Sequence, residues 1–373
     1  MQLSEQANIS CMVKGGIFDD AKTWDFVFGF LMIASLGACG ISQGAESVEE
    51  RDTLAVDDST LTEEGDDADA EAVQEAEEVS SETTGTAPNE QAVGDAGVFD
   101  LENGMVLLNS GYEMPILGIG CFRLSQSQAE DSVYWALRDG YRLIDTARIY
   151  GNEEGVGRGI QRAIDEGICT REEIFVTTKM WTDDFGDGDA AIDASLSRLD
   201  LEYIDLMILH HSQPSNDVEA YQAMERAVEA GKLKSIGLSN YYEPEDFDRL
   251  VDATTITPAL LQNETHPYHQ STVMKEHIAQ YGTVMESWFP LGGRGNTQVL
   301  FDDETISSIA TEHGKTSAQV ILRWHLQAGN IAIPGSSNEA HIQENFEVFD
   351  FELTEDEMQR LTALDKDQRF AGY

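Results

Sequence analysis

The chain has 373 residues, 41% of them hydrophobic and 8% aromatic, which is enough apolar content to bury a sizeable core in one large domain with appendages, or in two domains. Its 69 acidic residues against 23 basic ones give a formal net charge of −46, which disfavours nucleic acid and anionic membrane surfaces as partners. Four cysteines (Cys11, Cys39, Cys121 and Cys169) are too scattered for a disulfide framework and form no C-x-x-C pair.

In chain order, the first feature is a short apolar run, Phe26 to Ala38, ending at Cys39. Its length suits the h-region of a signal peptide better than a membrane span, which needs about 20 apolar residues. Leu36-Gly37-Ala38-Cys39 resembles a bacterial lipobox, so residues 1–39 read as a signal-like leader with Cys39 as the lipidation site. The basic charge ahead of it is weak, because Lys14 and Lys22 are diluted by Asp19, Asp20 and Asp25, and an uncleaved leader is the competing reading. Residues 40–97 read as an acidic linker in which Arg51 is the only basic residue. Such a segment buries too little apolar surface to offset its ordering entropy and is expected to be disordered. A working leader would place the protein at the cell envelope, tethered to the membrane through its N-terminus; otherwise it is cytoplasmic.

From residue 98 to 373 short apolar runs alternate with amphipathic patterns. Met105–Leu108 and Tyr112–Met114, separated by Asn109-Ser110-Gly111, predict an N-terminal β-hairpin. Strand-like runs follow at Ile116–Gly118, Arg142–Ile144, Ile174–Thr178, Asp205–Leu209, Lys234–Leu238, Leu260–Gln262, Thr283–Glu286 and Asn330–Ile333. Between them Gln128–Asp139, Glu153–Glu166, Ala190–Leu199, Asp217–Ala230 and Ser317–Gln327 carry helical spacing. Repeated strand–helix units of this kind predict an α/β fold, a (β/α)8 TIM barrel, rather than a doubly wound sheet. Gly155, Gly157 and Gly159 fall inside a helical pattern, which disfavours a Rossmann cofactor site.

Polar residues at the C-terminal strand ends of such a barrel face the active site. That rule selects Asp145 after the second strand, Tyr150 in the same loop, Lys179 after the third strand and His210 after the fourth. One polar residue of this kind has a dull explanation; the four together suit carbonyl reduction. Hydride arriving at a carbonyl carbon builds charge on the oxygen, and a proton must be delivered there. A tyrosine hydroxyl is a poor acid near neutral pH unless a cation lies close. Lys179 can supply that cation, Asp145 can orient Lys179, and His210 can hydrogen-bond the same oxygen. No nucleophile stands beside a base, and no His or Cys set has metal-ligand spacing.

The segment Gly140 to Ile160 (GYRLIDTARIYGNEEGVGRGI) resembles the first signature of the aldo-keto reductases, and in particular of their bacterial-type members. The similarity continues through TTKMW around Lys179, LILHH ending in His210 and His211, and GKLKSIGLSN over Gly231 to Asn240. LLQNETHPY, ESWFPLGGRG and IPGSSNEAHIQENFEVFDFELT follow in family order. The resemblance implies NADP(H) or NAD(H) as cofactor. Ser239, Asn240 and Gln262 would hold the nicotinamide carboxamide, Trp288 would stack on its ring, and Leu291 and Gly292 would line the pyrophosphate path. Ser336, His341, Glu344 and Asn345 would face the adenosine end, while Trp181 and His211 would wall the substrate pocket. Where NADP-preferring relatives carry basic residues, this chain has Gly335 and His341, so weakened NADPH discrimination is expected. The expected partner is a small-molecule carbonyl substrate, acted on by a monomer. The alternative is a non-catalytic cofactor-binding or ligand-binding barrel tethered to the cell envelope.

Overall fold

The computed structural model describes residues 96–372. Cys39, the apolar run before it and nearly all of the acidic segment lie outside the described residues.

A three-stranded antiparallel sheet comes first: β1 (Phe99–Asp100), β2 (Met105–Leu107) and β3 (Glu113–Pro115). The sequence pattern predicts only the β2–β3 hairpin, and Tyr112 lies in its turn rather than in a strand. The turn also binds the barrel. Asn109 Nδ2 donates to the carbonyls of Pro258 (3.1 Å) and Tyr281 (3.2 Å), and Ser110 Oγ meets Ser235 Oγ at 2.7 Å. Pro258 and Tyr281 lie a few residues ahead of the barrel strands that begin at Leu260 and Val284, so this sheet sits at the N-terminal end of the barrel.

Eight parallel strands follow: β4 (Gly118–Gly120), β5 (Leu143–Asp145), β6 (Phe175–Met180), β7 (Ile204–Leu209), β8 (Leu233–Ser239), β9 (Leu260–Glu264), β10 (Val284–Trp288) and β11 (Asn330–Ala332). Each pairs with its sequence neighbour, and a parallel bridge between Leu117 and Ala332 joins the two ends, so the sheet closes on itself. Short right-handed crossovers make this the natural arrangement for alternating strands and helices. The helices between strands are α1 (Gln126–Arg138), α2 (Glu153–Asp165), α3 (Gly188–Leu199), α4 (Asp217–Glu229), α5 (Pro244–Asp252) and α6 (Thr272–Ala279). The β10–β11 connection holds α7 (Thr297–Phe301), α8 (Glu304–His313) and α9 (Ser317–Gln327), and α10 (Glu339–Phe346) and α11 (Glu355–Thr362) complete the fold.

The three glycines of the predicted helical stretch lie in α2 because neighbouring backbone presses against them. A Cβ on Gly155 would run into the Gln126 carbonyl and one on Gly157 into the Leu199 carbonyl, while one on Gly159 would lie 2.6 Å from the Glu130 carbonyl. Cys121 and Cys169 are buried free thiols.

Candidate active site

A cluster of ionisable side chains gathers at the C-terminal ends of β5, β6 and β7. Two positions need correction here. Asp145 is the last residue of β5 and Lys179 lies inside β6; neither follows its strand. Both strands end further along the chain than the apolar pattern, because inward polar residues continue the strand without interrupting its hydrogen-bond ladder, Lys179 pairing with Ile208 of β7.

Lys179 is fully buried. Its Nζ donates to Asp145 Oδ1 at 2.6 Å, Asp145 Oδ2 at 2.7 Å and the Thr146 carbonyl at 2.8 Å, and reaches Tyr150 Oη at 3.3 Å. Burial alone would discharge the lysine, but the Asp145 carboxylate outweighs it and holds the ammonium above the ordinary lysine range. Burial pushes Asp145 upward in turn, against the pull of the Lys179 charge and a bond from Gln262.

Tyr150 ends a single 3-10 turn, Arg148–Tyr150, and Gly151 follows at φ 65°. The next residue, Asn152, fixes the loop. Its Nδ2 donates to the carbonyls of Cys121 (2.8 Å) and Leu124 (3.0 Å), and its Oδ1 accepts from Thr146 Oγ1 at 2.8 Å. Tyr150 is thereby tied to both the β4 and β5 ends.

His210 directly follows β7 and is 8% exposed. Its ring stands edge-on to Tyr150 (5.7 Å between centroids) and Trp181 (5.1 Å), and stacks on His211 at 5.3 Å. Burial, helped by the Lys179 charge and His211, pulls His210 down to about 2, so its imidazole is neutral at any working pH. Its Nδ1 has no partner among the described residues. Trp181 and His211 stand edge-to-face at 5.2 Å on the same wall, where burial also lowers His211.

Ser239 ends β8, Gln262 lies in β9 and Trp288 ends β10, with Ser239 opposite Gln262 in the strand register. Gln262 Nε2 donates to Asp145 Oδ2 (2.9 Å) and Glu286 Oε2 (2.6 Å). Both amide hydrogens are therefore used, and Gln262 has only its carbonyl oxygen to offer a ligand. Ser239 Oγ accepts from Asn240 Nδ2 at 3.1 Å and keeps its own hydrogen to donate. An acceptor and a donor on adjacent strands fit a primary carboxamide such as that of nicotinamide. Asn240, in the left-handed region at φ 60°, is bonded differently: its Nδ2 also donates to the His210 carbonyl (2.8 Å), and its Oδ1 accepts from Tyr242 Oη (3.1 Å).

Leu291 and Gly292 follow β10 in a turn where Gly292 adopts φ 82°. After β11, Asn338 caps α10 by accepting from the His341 N–H, and Ser336 Oγ accepts from the Asn338 N–H at 3.0 Å. His341 is exposed, Asn345 is buried, and Glu344 accepts from Thr316 Oγ1 at 2.9 Å. No basic side chain occupies position 335: a Cβ on Gly335 would lie 2.8 Å from the Gly120 carbonyl.

Three neighbours escape the sequence reading. Phe122 packs on Tyr150 at 5.0 Å and on Phe289 at 5.9 Å, making an aromatic rim. Glu286 is wholly buried beside the Asp145–Lys179 pair. Its sequence signal is a carboxylate at the end of the run Thr283–Glu286, the kind of position that selects Asp145, and the sequence reading leaves it unused.

Fold and cluster together place this chain among the barrel oxidoreductases. It belongs to the aldo/keto reductase family, whose model matches residues 116–366. It is 38% identical over 303 residues to the NAD(P)H-dependent D-xylose reductase I,II of Candida tropicalis, covering 71% of this chain and 93% of that one. It is 41% identical over 269 residues to a methylglyoxal reductase of Yersinia pestis, with 71% and 94% covered. The crystal structure of a Bombyx mori aldo-keto reductase in complex with NADP superposes with a TM-score of 0.67 at 35% identity, covering 72% of this chain and 94% of that one. The protein is thus an NAD(P)H-dependent oxidoreductase that reduces carbonyl groups, and these relatives support that activity over a non-catalytic barrel.

Proposed function

We propose that the protein reduces small aldehydes and ketones, dicarbonyls and aldoses included, with Tyr150 as the proton donor. The observation that supports this assignment is the 3.3 Å approach of the Lys179 ammonium to Tyr150 Oη while Asp145 grips the same ammonium at 2.6 and 2.7 Å. When bound, a reduced nicotinamide supplies hydride to the carbonyl carbon. The remaining work belongs to the protein. Tyr150 transfers its hydroxyl proton to the developing alkoxide, and Lys179 stabilises the phenolate left behind. His210, neutral, can only hydrogen-bond the same oxygen and fix the carbonyl's orientation. Gln262 and Ser239 would hold the carboxamide, Trp288 would cover the ring, and Trp181 and His211 would shape the substrate side.

The test is steady-state reduction of methylglyoxal, D-xylose and simple aldehydes with NADPH and with NADH. Tyr150→Phe should lose on the order of a hundredfold or more in kcat, within the range typical of general acid catalysis, while retaining cofactor binding. A Tyr150→Phe variant that turns over like the wild type would remove Tyr150 from the reaction.

The leader supports a second, separate reading from sequence alone: that Cys39 carries a lipid and the acidic segment acts as a tether at the cell envelope. Labelled palmitate would report it, and a Cys39-containing form without label would end it.

A further inference from the structure

Glu286 is a buried ionisable group with no part in the reaction just described. It lies mid-strand in β10, opposite Gln262 of β9 and Ile331 of β11, and has no solvent exposure. One carboxyl oxygen, Oε2, accepts from Gln262 Nε2 at 2.6 Å; the other, Oε1, has no partner among the described residues. The same Gln262 nitrogen donates to Asp145 Oδ2 at 2.9 Å, so one amide bridges two carboxyl groups. The charged groups acting on Glu286 are Asp145 from β5 and Lys179 from β6, while its strand partners Gln262 and Ile331 are uncharged.

Two carboxylates sharing one ammonium in a dry interior cannot both ionise cheaply. Asp145 takes both short bonds from Lys179, which leaves Glu286 as the group that keeps its proton. Burial first, and then the Asp145 charge, push Glu286 up to about 8. Below that pH it is a neutral acid; above it, a second negative charge stands behind Lys179.

We propose that Glu286 is a positioning residue for the reduction: neutral, it locks the Gln262 amide without opposing Lys179, and ionised, it weakens the support Lys179 gives to the Tyr150 phenolate and slows proton delivery. This rests on the reductase reading of the same site. Its sign follows directly. Reduction is fastest with Glu286 protonated and declines as pH rises through its ionisation.

The experiment compares the full chain with Glu286→Gln and Glu286→Ala. In kcat/KM for methylglyoxal with NADPH between about pH 6 and about pH 10, the wild type should fall by up to about tenfold per pH unit above its break. Glu286→Gln should extend the plateau by about one unit or more. Two readouts need no turnover. In cofactor-free protein, the ultraviolet tyrosinate titration of Tyr150, taken as the difference from Tyr150→Phe, should shift to lower pH in Glu286→Gln. In wild-type protein, infrared spectroscopy should show a protonated carboxyl at neutral pH that disappears on alkalinisation. Superimposable pH profiles and an unmoved tyrosine midpoint in Glu286→Gln would overturn the proposal. So would a wild-type spectrum with no protonated carboxyl at neutral pH, a result that stands even if both variants misfold. If no carbonyl compound is turned over, the reductase reading fails, while the tyrosine and infrared titrations still decide the role of Glu286.

Discussion

Lys179 and His210 are both buried nitrogen bases, and their surroundings send them in opposite directions. Lys179 meets a carboxylate at hydrogen-bond distance and stays charged, whereas His210 meets another imidazole and that ammonium and stays neutral. The native His210 value lies below the ordinary 6.5, so the unfolded chain binds a proton that the folded chain refuses. Its contribution to stability is therefore present above pH 6.5 and is lost as pH falls below it. No step from His210 should appear in the rate profile near that pH. Coenzyme choice is also a residue-scale matter. His341 is exposed on α10, so His341→Arg should be accommodated and should raise the NADPH-to-NADH ratio of kcat/KM by roughly tenfold, the worth of one charge-assisted phosphate contact. An unchanged ratio would mean that position 341 does not reach the ribose end of the cofactor.

At the scale of elements, helix α2 depends on its glycines more than on helical propensity. Alanine at position 157 would gain about 1 kcal/mol of intrinsic propensity. Its Cβ, however, would drive into the Leu199 carbonyl, which is backbone at the end of α3 and cannot turn aside. Overpacking of this kind costs about 1–3 kcal/mol or more, so Gly157→Ala should lower Tm; a rise would show that α2 and α3 separate without penalty. The same geometry explains where sequence patterns mislead. Helices α1 to α4 and α9 and most strands are legible from their pattern, whereas α5 to α8, α10 and α11, none longer than 10 residues, carry too few turns to be picked out. Strand β4 is displaced two residues from the apolar run Ile116–Gly118, because Gly118 and Gly120 form the strand precisely where side chains cannot fit. A Cβ on Gly118 would lie 2.5 Å from Leu143, and one on Gly120 would lie 2.7 Å from the Ile333 carbonyl. Asp145, Tyr150, Lys179 and His210 are legible because strand-end polarity has a meaning in a barrel. Glu286 also ends a predicted run, but its link to the site is not legible, because only the three-dimensional register shows that Gln262 joins it to Asp145.

Across the whole molecule, the charge of −46 acts on every part of the chain. Repulsion among so many carboxylates opposes the compact state and is relieved when salt shortens the screening length from about 10 Å at 0.1 M to about 3 Å at 1 M. Salt also screens exposed ion pairs such as Arg226 with Asp189 and Lys232 with Asp193, but each of these is worth little, and with 69 acidic residues against 23 basic ones the relief of repulsion is the larger effect. The Tm of the full chain should therefore rise steadily with sodium chloride. A falling Tm would mean that ion pairs, not repulsion, dominate its electrostatics.

The meeting of Gly335 with Gly120 has a consequence for how this enzyme could change. Position 335 lies at the seam where the first and last barrel strands join, with the carbonyl of Gly120 2.8 Å from where a Cβ would sit. Any side chain introduced there must first part that seam, whatever phosphate it might later reach. A lineage moving toward NADPH would thus find position 341 open from the outset and position 335 closed until substitutions elsewhere had loosened the join. The order of steps along such a path is set by backbone closure rather than by affinity.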